Sequence, residues 1–248
     1  MQSGKEGYGR PVVISAFGAP PGLKTDRVPA GAEVYGSGAM ARIILALPPI
    51  ERAYSLVRFA ILRPMLLSVM DLRLPAEGRI LDVGCGFGLF AAYFGQTNPG
   101  RRIVGIDPNA RRIAIARRVA DRVGLRDHRF TVGDVRTASL DGPFDAAYVL
   151  DVMHHLPRAD QASVLERLRD LLSPGGTLIV KDITTESRFG RAFTEVMDRL
   201  MVGFDEPLAY RHHREWADLL SELGFRVRVL RVADVLPYPH IVIAATKG

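Results

Sequence analysis

Short apolar runs and helical stripes alternate along most of the chain. Runs at 79–83, 102–107, 130–132, 144–150, 177–181, 225–232 and 240–245 have the length and β-branched content of strands. Between them, apolar positions recur at helical spacing over 109–123, 158–172, 188–202 and 214–223. Asn109 is placed to cap the first of these helices, and Gly124 and Gly224 to end the first and last. Strands alternating with helices predict a parallel sheet with crossover helices on its faces.

The region before the first strand is patterned differently. Residues 1–35 are rich in Gly and Pro with little periodicity and read as a loose arm, with 12–17 as a segment able to pair. From Met40 to Leu74 the chain is strongly apolar, broken at Pro48-Pro49 and with Pro64 as a kink or a helix start. Ile50, Tyr54, Val57, Ile61 and Leu66 form a helical stripe interrupted by Arg52, Arg58 and Arg63. Core packing and a cap over a ligand site both fit this pattern. The expected division is an arm and helical cap over 1–75 and a sheet domain over 76–248.

Composition narrows the partners only slightly. The 248 residues are 48% hydrophobic and 24% charged, ordinary for a globular chain. Lys and Arg outnumber Asp and Glu by 33 to 27, a net charge of +6 that allows an anionic partner. The arginines at 111, 112, 117, 118 and 122 alternate with Ile113, Ile115 and Val119, so they read as the solvated face of a helix. Neither an RNA-binding module nor aromatic interleaving accompanies them, which argues against a nucleic-acid partner. A single cysteine, Cys85, leaves no internal disulfide and no cysteine metal cluster. No signal-peptide pattern and no membrane-length apolar run are visible, so a cytoplasmic protein is expected, with peripheral membrane contact as an alternative.

The most informative stretch is Ile80-Leu-Asp-Val-Gly-Cys-Gly-Phe-Gly-Leu-Phe90. A strand ends in Asp82, three glycines follow at alternate positions, and a helical pattern begins at Leu89. Such a turn lets a ligand lie against the backbone at a helix start. Its spacing is tighter than the G-x-G-x-x-G of dinucleotide sites, and an acid before the first glycine suits a cationic ligand tail rather than a pyrophosphate. Asp82 to Gly88 resembles motif I of the class I S-adenosylmethionine-dependent methyltransferases. The resemblance extends over about 78–182. It implies a Rossmann-like, seven-stranded, mostly parallel sheet with helices on both faces, an N-terminal helical cap, and S-adenosylmethionine as cofactor.

Site residues follow from that resemblance. The turn (Asp82, Gly84, Cys85, Gly86, Gly88) would hold the amino-acid end, and Asp107, with Pro108 beside it, the ribose. Asp134 and the backbone of Val135 would meet the adenine, and Leu150 and Asp151 the methionine part. Arg58 is a further candidate, for the cofactor carboxylate or an acidic group on the acceptor. Asp151-Val-Met-His-His-Leu156 replaces the Pro-Pro-aromatic box of nucleobase methylators and resembles the small-molecule branch. Asp182-Ile183 stands where metal-dependent members carry Asp-Asn, so no metal is expected. His154 and His155 are candidate bases for a hydroxyl, and His212, next to His213, a candidate from the acceptor side. The expected function is methyl transfer to a small hydrophobic or aromatic acceptor. A membrane-lipid or RNA methyltransferase, or a catalytically silent cofactor-binding scaffold, is the alternative. Oligomeric state is not fixed by these residues.

Overall fold

The computed structural model describes residues 37–62, 64–125, 127–185, 208–231 and 240–248. The expected arm at 1–35 and the helix at 188–202 lie outside the described residues. Seven strands form one sheet in the order β3-β2-β1-β4-β5-β7-β6. They are β1 (Glu77–Val83), β2 (Gly100–Asp107), β3 (Arg129–Val132), β4 (Phe144–Leu150), β5 (Leu172–Ile183), β6 (Phe225–Arg231) and β7 (His240–Lys247). β1 to β5 pair in parallel, while β7 runs antiparallel to both β5 and β6.

The strand order turns back at β1. β2 and β3 lie to one side of it and β4 and β5 to the other, so a crevice opens at the carboxyl ends of β1 and β4, the usual ligand position in open α/β sheets. β5 starts earlier than its apolar run suggests. Leu172 pairs with Phe144, the register slips between Phe144 and Ala146, and Ser173-Pro-Gly-Gly176 becomes part of the strand rather than a separate turn.

Two apolar layers sandwich the sheet. On one face, α4 (Leu89–Thr97) and α5 (Ala110–Arg122) bury Phe94, Ile113 and Ala116 against Ile80, Ile103 and Tyr148. On the other, α6 (Arg158–Leu171) and α7 (His213–Glu222) bury Val164, Leu168 and Trp216 against Leu81, Val149 and Ile243. Asn109 caps α5 as its sequence suggests, its side chain accepting from the Arg112 amide at 3.1 Å, and Gly124 follows with φ +72°.

The N-terminal region forms three helices, α1 (Ser37–Ala46), α2 (Pro49–Ile61) and α3 (Pro64–Asp71), with Pro64 as a helix start. Ile43, Leu47, Leu66, Leu67 and Met70 join the α4/α5 layer. The apolar stripe of this region, which fitted either core packing or a cap, is therefore divided. Ile61 and Leu66 are core, whereas Ile50 and Val57 are 77% and 44% exposed. Arg101, near the cluster read as solvated, is buried. It donates to the carbonyls of Asp71, Leu74, Pro75 and Phe94 and pairs with the Asp71 carboxylate, tying α3 and α4 to β2.

Candidate active site

The glycine turn is held by β2. The amides of Gly84 and Cys85 both donate to the Ile106 carbonyl, at 2.8 and 3.0 Å. Gly84, Gly86 and Gly88 all have positive φ, and they differ in what surrounds them. A Cβ on Gly84 would meet Val152 Cγ2 at 2.4 Å, so the turn packs directly on the segment that follows β4. A Cβ on Gly86 would meet nothing within 4 Å. That is the open face of the turn.

Asp107 closes the turn from the end of β2. One carboxylate oxygen accepts from the Gly86 amide at 3.0 Å and the other from the Asn109 amide at 2.8 Å. Each oxygen keeps a lone pair, enough to accept from two hydroxyls of a ribose. Open glycine backbone beside a buried, anchored carboxylate fits S-adenosylmethionine. Pro108 is exposed next to Asp107, and Val135 and Leu150 are buried apolar residues.

Other expected cofactor contacts are engaged differently. Asp82 is only 3% exposed and paired in register with Tyr148 of β4. Burial pushes its carboxyl up to about 7, against the opposing effect of the Tyr148 hydroxyl and with the Asp107 charge adding to it. Asp82 thus sets the charge beneath the turn. Asp134 is held by Arg136, at 2.6 Å from Nη2 and 2.8 Å from the amide, and Arg136 also reaches Asp160. Its carboxylate remains one-third exposed beside that ion pair. Cys85 packs against Gly105, whose Cβ would lie 2.8 Å from the sulfur, and burial drives its thiol far above the ordinary range. It is a packed thiol beneath the turn.

A second group of polar residues gathers at the ends of β4, β5 and β7. Asp151, at φ +50°, joins two cations: Arg58 Nη2 of α2 at 2.7 Å and Lys181 Nζ of β5. Burial would raise the Asp151 carboxyl, but Lys181 and Arg58 outweigh it and hold it well below the usual carboxylate range. Asp151 is thereby tied to two protein cations at the end of β4. The buried Lys181 is pushed down by desolvation, opposed by Asp151. Buried His240, at the start of β7, is held well below its ordinary range by burial and by the Lys181 charge.

The histidines divide by environment. His154, in the 3-10 turn Met153–His155, places Nδ1 2.6 Å from Asp182 Oδ1, with both side chains 1% exposed. Its ring stacks on Tyr210 at 5.1 Å and lies 4.2 Å from the ring of His155. Buried Gln161 fixes this turn, donating to the carbonyls of Met153 and Ala209, both at 2.9 Å. His155 is half-buried, and desolvation, then the neighbouring His154, lower it to about 4. His212 is committed elsewhere. It is the N-cap of α7, its Nδ1 accepting from the Arg214 amide at 3.2 Å while its own amide donates to Glu215 at 3.0 Å. His213 lies beside Thr184.

Three members of this group, Lys181, Asp182 and His240, were not anticipated as site residues. The available signal was a charged pair inside the apolar run Leu178-Ile-Val-Lys-Asp-Ile183, at the carboxyl end of a strand. Among the described residues, no group of three His, Cys, Asp or Glu side chains is placed to hold a metal ion.

The Methyltransferase domain family model matches residues 57–230. The chain is 30% identical to a ubiquinone biosynthesis O-methyltransferase of Marinobacter nauticus, over 68% of this chain and 73% of that one. It is 33% identical to a protein of the same name from Xylella fastidiosa over 49% of each chain, so it spans about half the length of that relative. Among solved structures, that of the S-adenosylmethionine-dependent methyltransferase SibL superposes with a TM-score of 0.65 at 21% identity, covering 82% of this chain and 60% of SibL. That last likeness speaks to the fold.

Proposed function

This chain belongs to the class I S-adenosylmethionine-dependent methyltransferases, and on that footing we propose that it methylates a hydroxyl of a small hydrophobic or aromatic acceptor by direct displacement. The open face of Gly86 and the Asp107 carboxylate would hold the cofactor. When bound, S-adenosylmethionine supplies an electrophilic methyl group on its sulfonium centre.

The observation that carries the hydroxyl reading is the His154–Asp182 pair, 2.6 Å apart and buried. It adjoins the glycine turn, because Val152, next to its 3-10 helix, packs on Gly84. With Nδ1–H donated to Asp182, the ring accepts a proton at Nε2, and the carboxylate stabilises the imidazolium that forms. A phenol or alcohol gives up its proton as it is methylated, so a base of this kind has a use there. Arg58, Asp151 and Lys181 hold α2 against the ends of β4 and β5. The O-methyltransferase names of the relatives agree with this acceptor chemistry.

The test is methyl transfer from S-adenosylmethionine to a panel of phenols and catechols. His154→Gln and Asp182→Asn should each lower kcat by about 100- to 10,000-fold with the cofactor Kd unchanged, and the loss should diminish as pH rises towards the acceptor's own pKa. Full activity in both variants would remove the base. Absence of turnover with every acceptor despite cofactor binding would favour a silent scaffold.

A further inference from the structure

The second helix buries two charged side chains and exposes a continuous apolar face. Its buried side carries Glu51, Ser55 and Arg58 along with Phe59 and Ile61, with Glu51 meeting Arg111 Nη2 at 2.6 Å and Arg58 meeting Asp151. Its outward arc is Pro49, Ile50, Ala53, Leu56, Val57 and Ala60, every one exposed and none polar. At about 100° per residue these six fall within roughly 120° of the helix circumference. Ile50, Leu56 and Val57 are 77%, 55% and 44% exposed. Leu45, 68% exposed in the last turn of α1, extends the ridge, since Arg52 of α2 donates to its carbonyl at 3.0 Å. An amphipathic helix on a water-facing surface has the opposite arrangement.

What flanks the ridge indicates its partner. α5 lies alongside, joined by Arg111 to Glu51 and by Arg122 Nη1 to the Ala46 carbonyl at 2.6 Å. Arg118 falls on the same stripe of α5 between them, seven residues after one and four before the other. Arg111, Arg118 and Arg122 share this stripe, whereas Arg117 donates to the Phe130 carbonyl of β3, and Asp121 is the one acid on the exposed surface of α5. A nucleic acid would use the arginines but not the apolar ridge, and a neutral apolar partner would use the ridge alone. An anionic lipid surface uses both. Apolar side chains enter the acyl boundary while guanidinium groups stay among the headgroup phosphates.

We propose that the outward face of α2, with Leu45 and the flanking arginines of α5, docks on an anionic lipid bilayer. The same helix touches the glycine turn, through Tyr54 against Phe87 at 5.3 Å between ring centroids, and the end of β4 through Arg58. Docking would therefore bring the site to the bilayer, where a hydrophobic acceptor is concentrated. This last consequence rests on the methyl-transfer reading, but the docking itself does not.

Flotation of the full-length chain with phosphatidylcholine vesicles, with and without phosphatidylglycerol, tests docking in the absence of any methyl donor. The expected result is binding only to the anionic vesicles, weakening as salt rises. The triple variant Leu45→Ser, Ile50→Ser, Val57→Ser should lose affinity by about tenfold or more. Arg118→Glu, which leaves the ridge intact, should lose at least about fivefold, the effect of one basic residue near such a surface. No flotation in low salt, equal binding to neutral vesicles, or unchanged binding in both variants would overturn the proposal. So would self-association of the chain that the triple variant abolishes without any vesicle binding, since a second copy would then cover the ridge.

Discussion

Arg58 and Asp151 are 93 positions apart in the chain and 2.7 Å apart in the structure, with side chains only 10% and 11% exposed. Lys181 holds the other oxygen of the same carboxylate. One acid thus serves two buried cations and joins the N-terminal helices to the ends of β4 and β5.

That sharing makes the two partners unequal. Asp151→Ala would leave Arg58 and Lys181 both buried without their common counter-charge, and should cost about 3–5 kcal/mol. Arg58→Ala leaves Asp151 paired with Lys181 and should cost about 1.5–3 kcal/mol. Urea denaturation of the two variants checks the order. Equal losses would mean that Lys181 does not compensate the carboxylate.

The glycines of the turn offer a separation of folding from binding. Gly84→Ala would drive a methyl group to 2.4 Å from Val152 at φ +72°, and should destabilise the fold by about 2 kcal/mol or more. Gly86→Ala has space around it and incurs mainly the left-handed backbone penalty, about 1 kcal/mol at φ +54°. Its methyl group would stand on the open face, so the affinity for S-adenosylhomocysteine should fall at least about tenfold. Calorimetry combined with thermal melts checks both. Full affinity in Gly86→Ala would place the cofactor elsewhere.

Asp107→Ala should weaken S-adenosylhomocysteine binding by about 1.5–3 kcal/mol, the usual contribution of hydrogen bonds to a charged group. Its carboxylate also anchors the Gly86 and Asn109 amides. A melting temperature measured without ligand separates lost anchoring from lost contact. Unchanged affinity would remove the ribose assignment.

Asp82 predicts a pH dependence of unusual sign for a carboxylate. Its folded pKa of about 7 lies above the ordinary 3.8, so the folded chain binds its proton more tightly than the unfolded one. The contribution to stability is full below about pH 4 and is lost as pH rises through about 7, on the order of 2–4 kcal/mol in total. His155, lowered to about 4, acts oppositely, its contribution being lost as pH falls from about 6.5 towards 4. Comparison with Asp82→Asn isolates the first effect. The variant should gain on the parent as pH is raised from 4 to 8, and a constant difference would show that Asp82 is ionised in the fold.

Turnover should survive chelators. Asp182 stands where metal-dependent relatives place a ligand pair, but its neighbour is Ile183 and its carboxylate is 2.6 Å from His154. Activity abolished by a chelator and restored by magnesium would overturn this expectation.

Periodicity and local chemistry made much of the molecule legible in the sequence. The seven strands, the Asn109 cap and the Gly84–Gly88 turn each depend on residues close together in the chain, as does the carboxylate ending β2. For these, spacing and residue type are the physical cause of the structure. What one residue's side chain meets across the sheet is not local. Lys181 and Asp182 look like two charges in an apolar strand until β4 brings Asp151 and His154 beside them. The outward ridge of α2 shows the same limit most plainly. Its stripe of Ile50 and Val57 reads as a core face, because hydrophobicity fixes which residues share a side but not which side turns inward. Partners for Glu51 on α5 and for Arg58 at the end of β4 supply that choice, since a buried charge is tolerated only where an opposite charge awaits it.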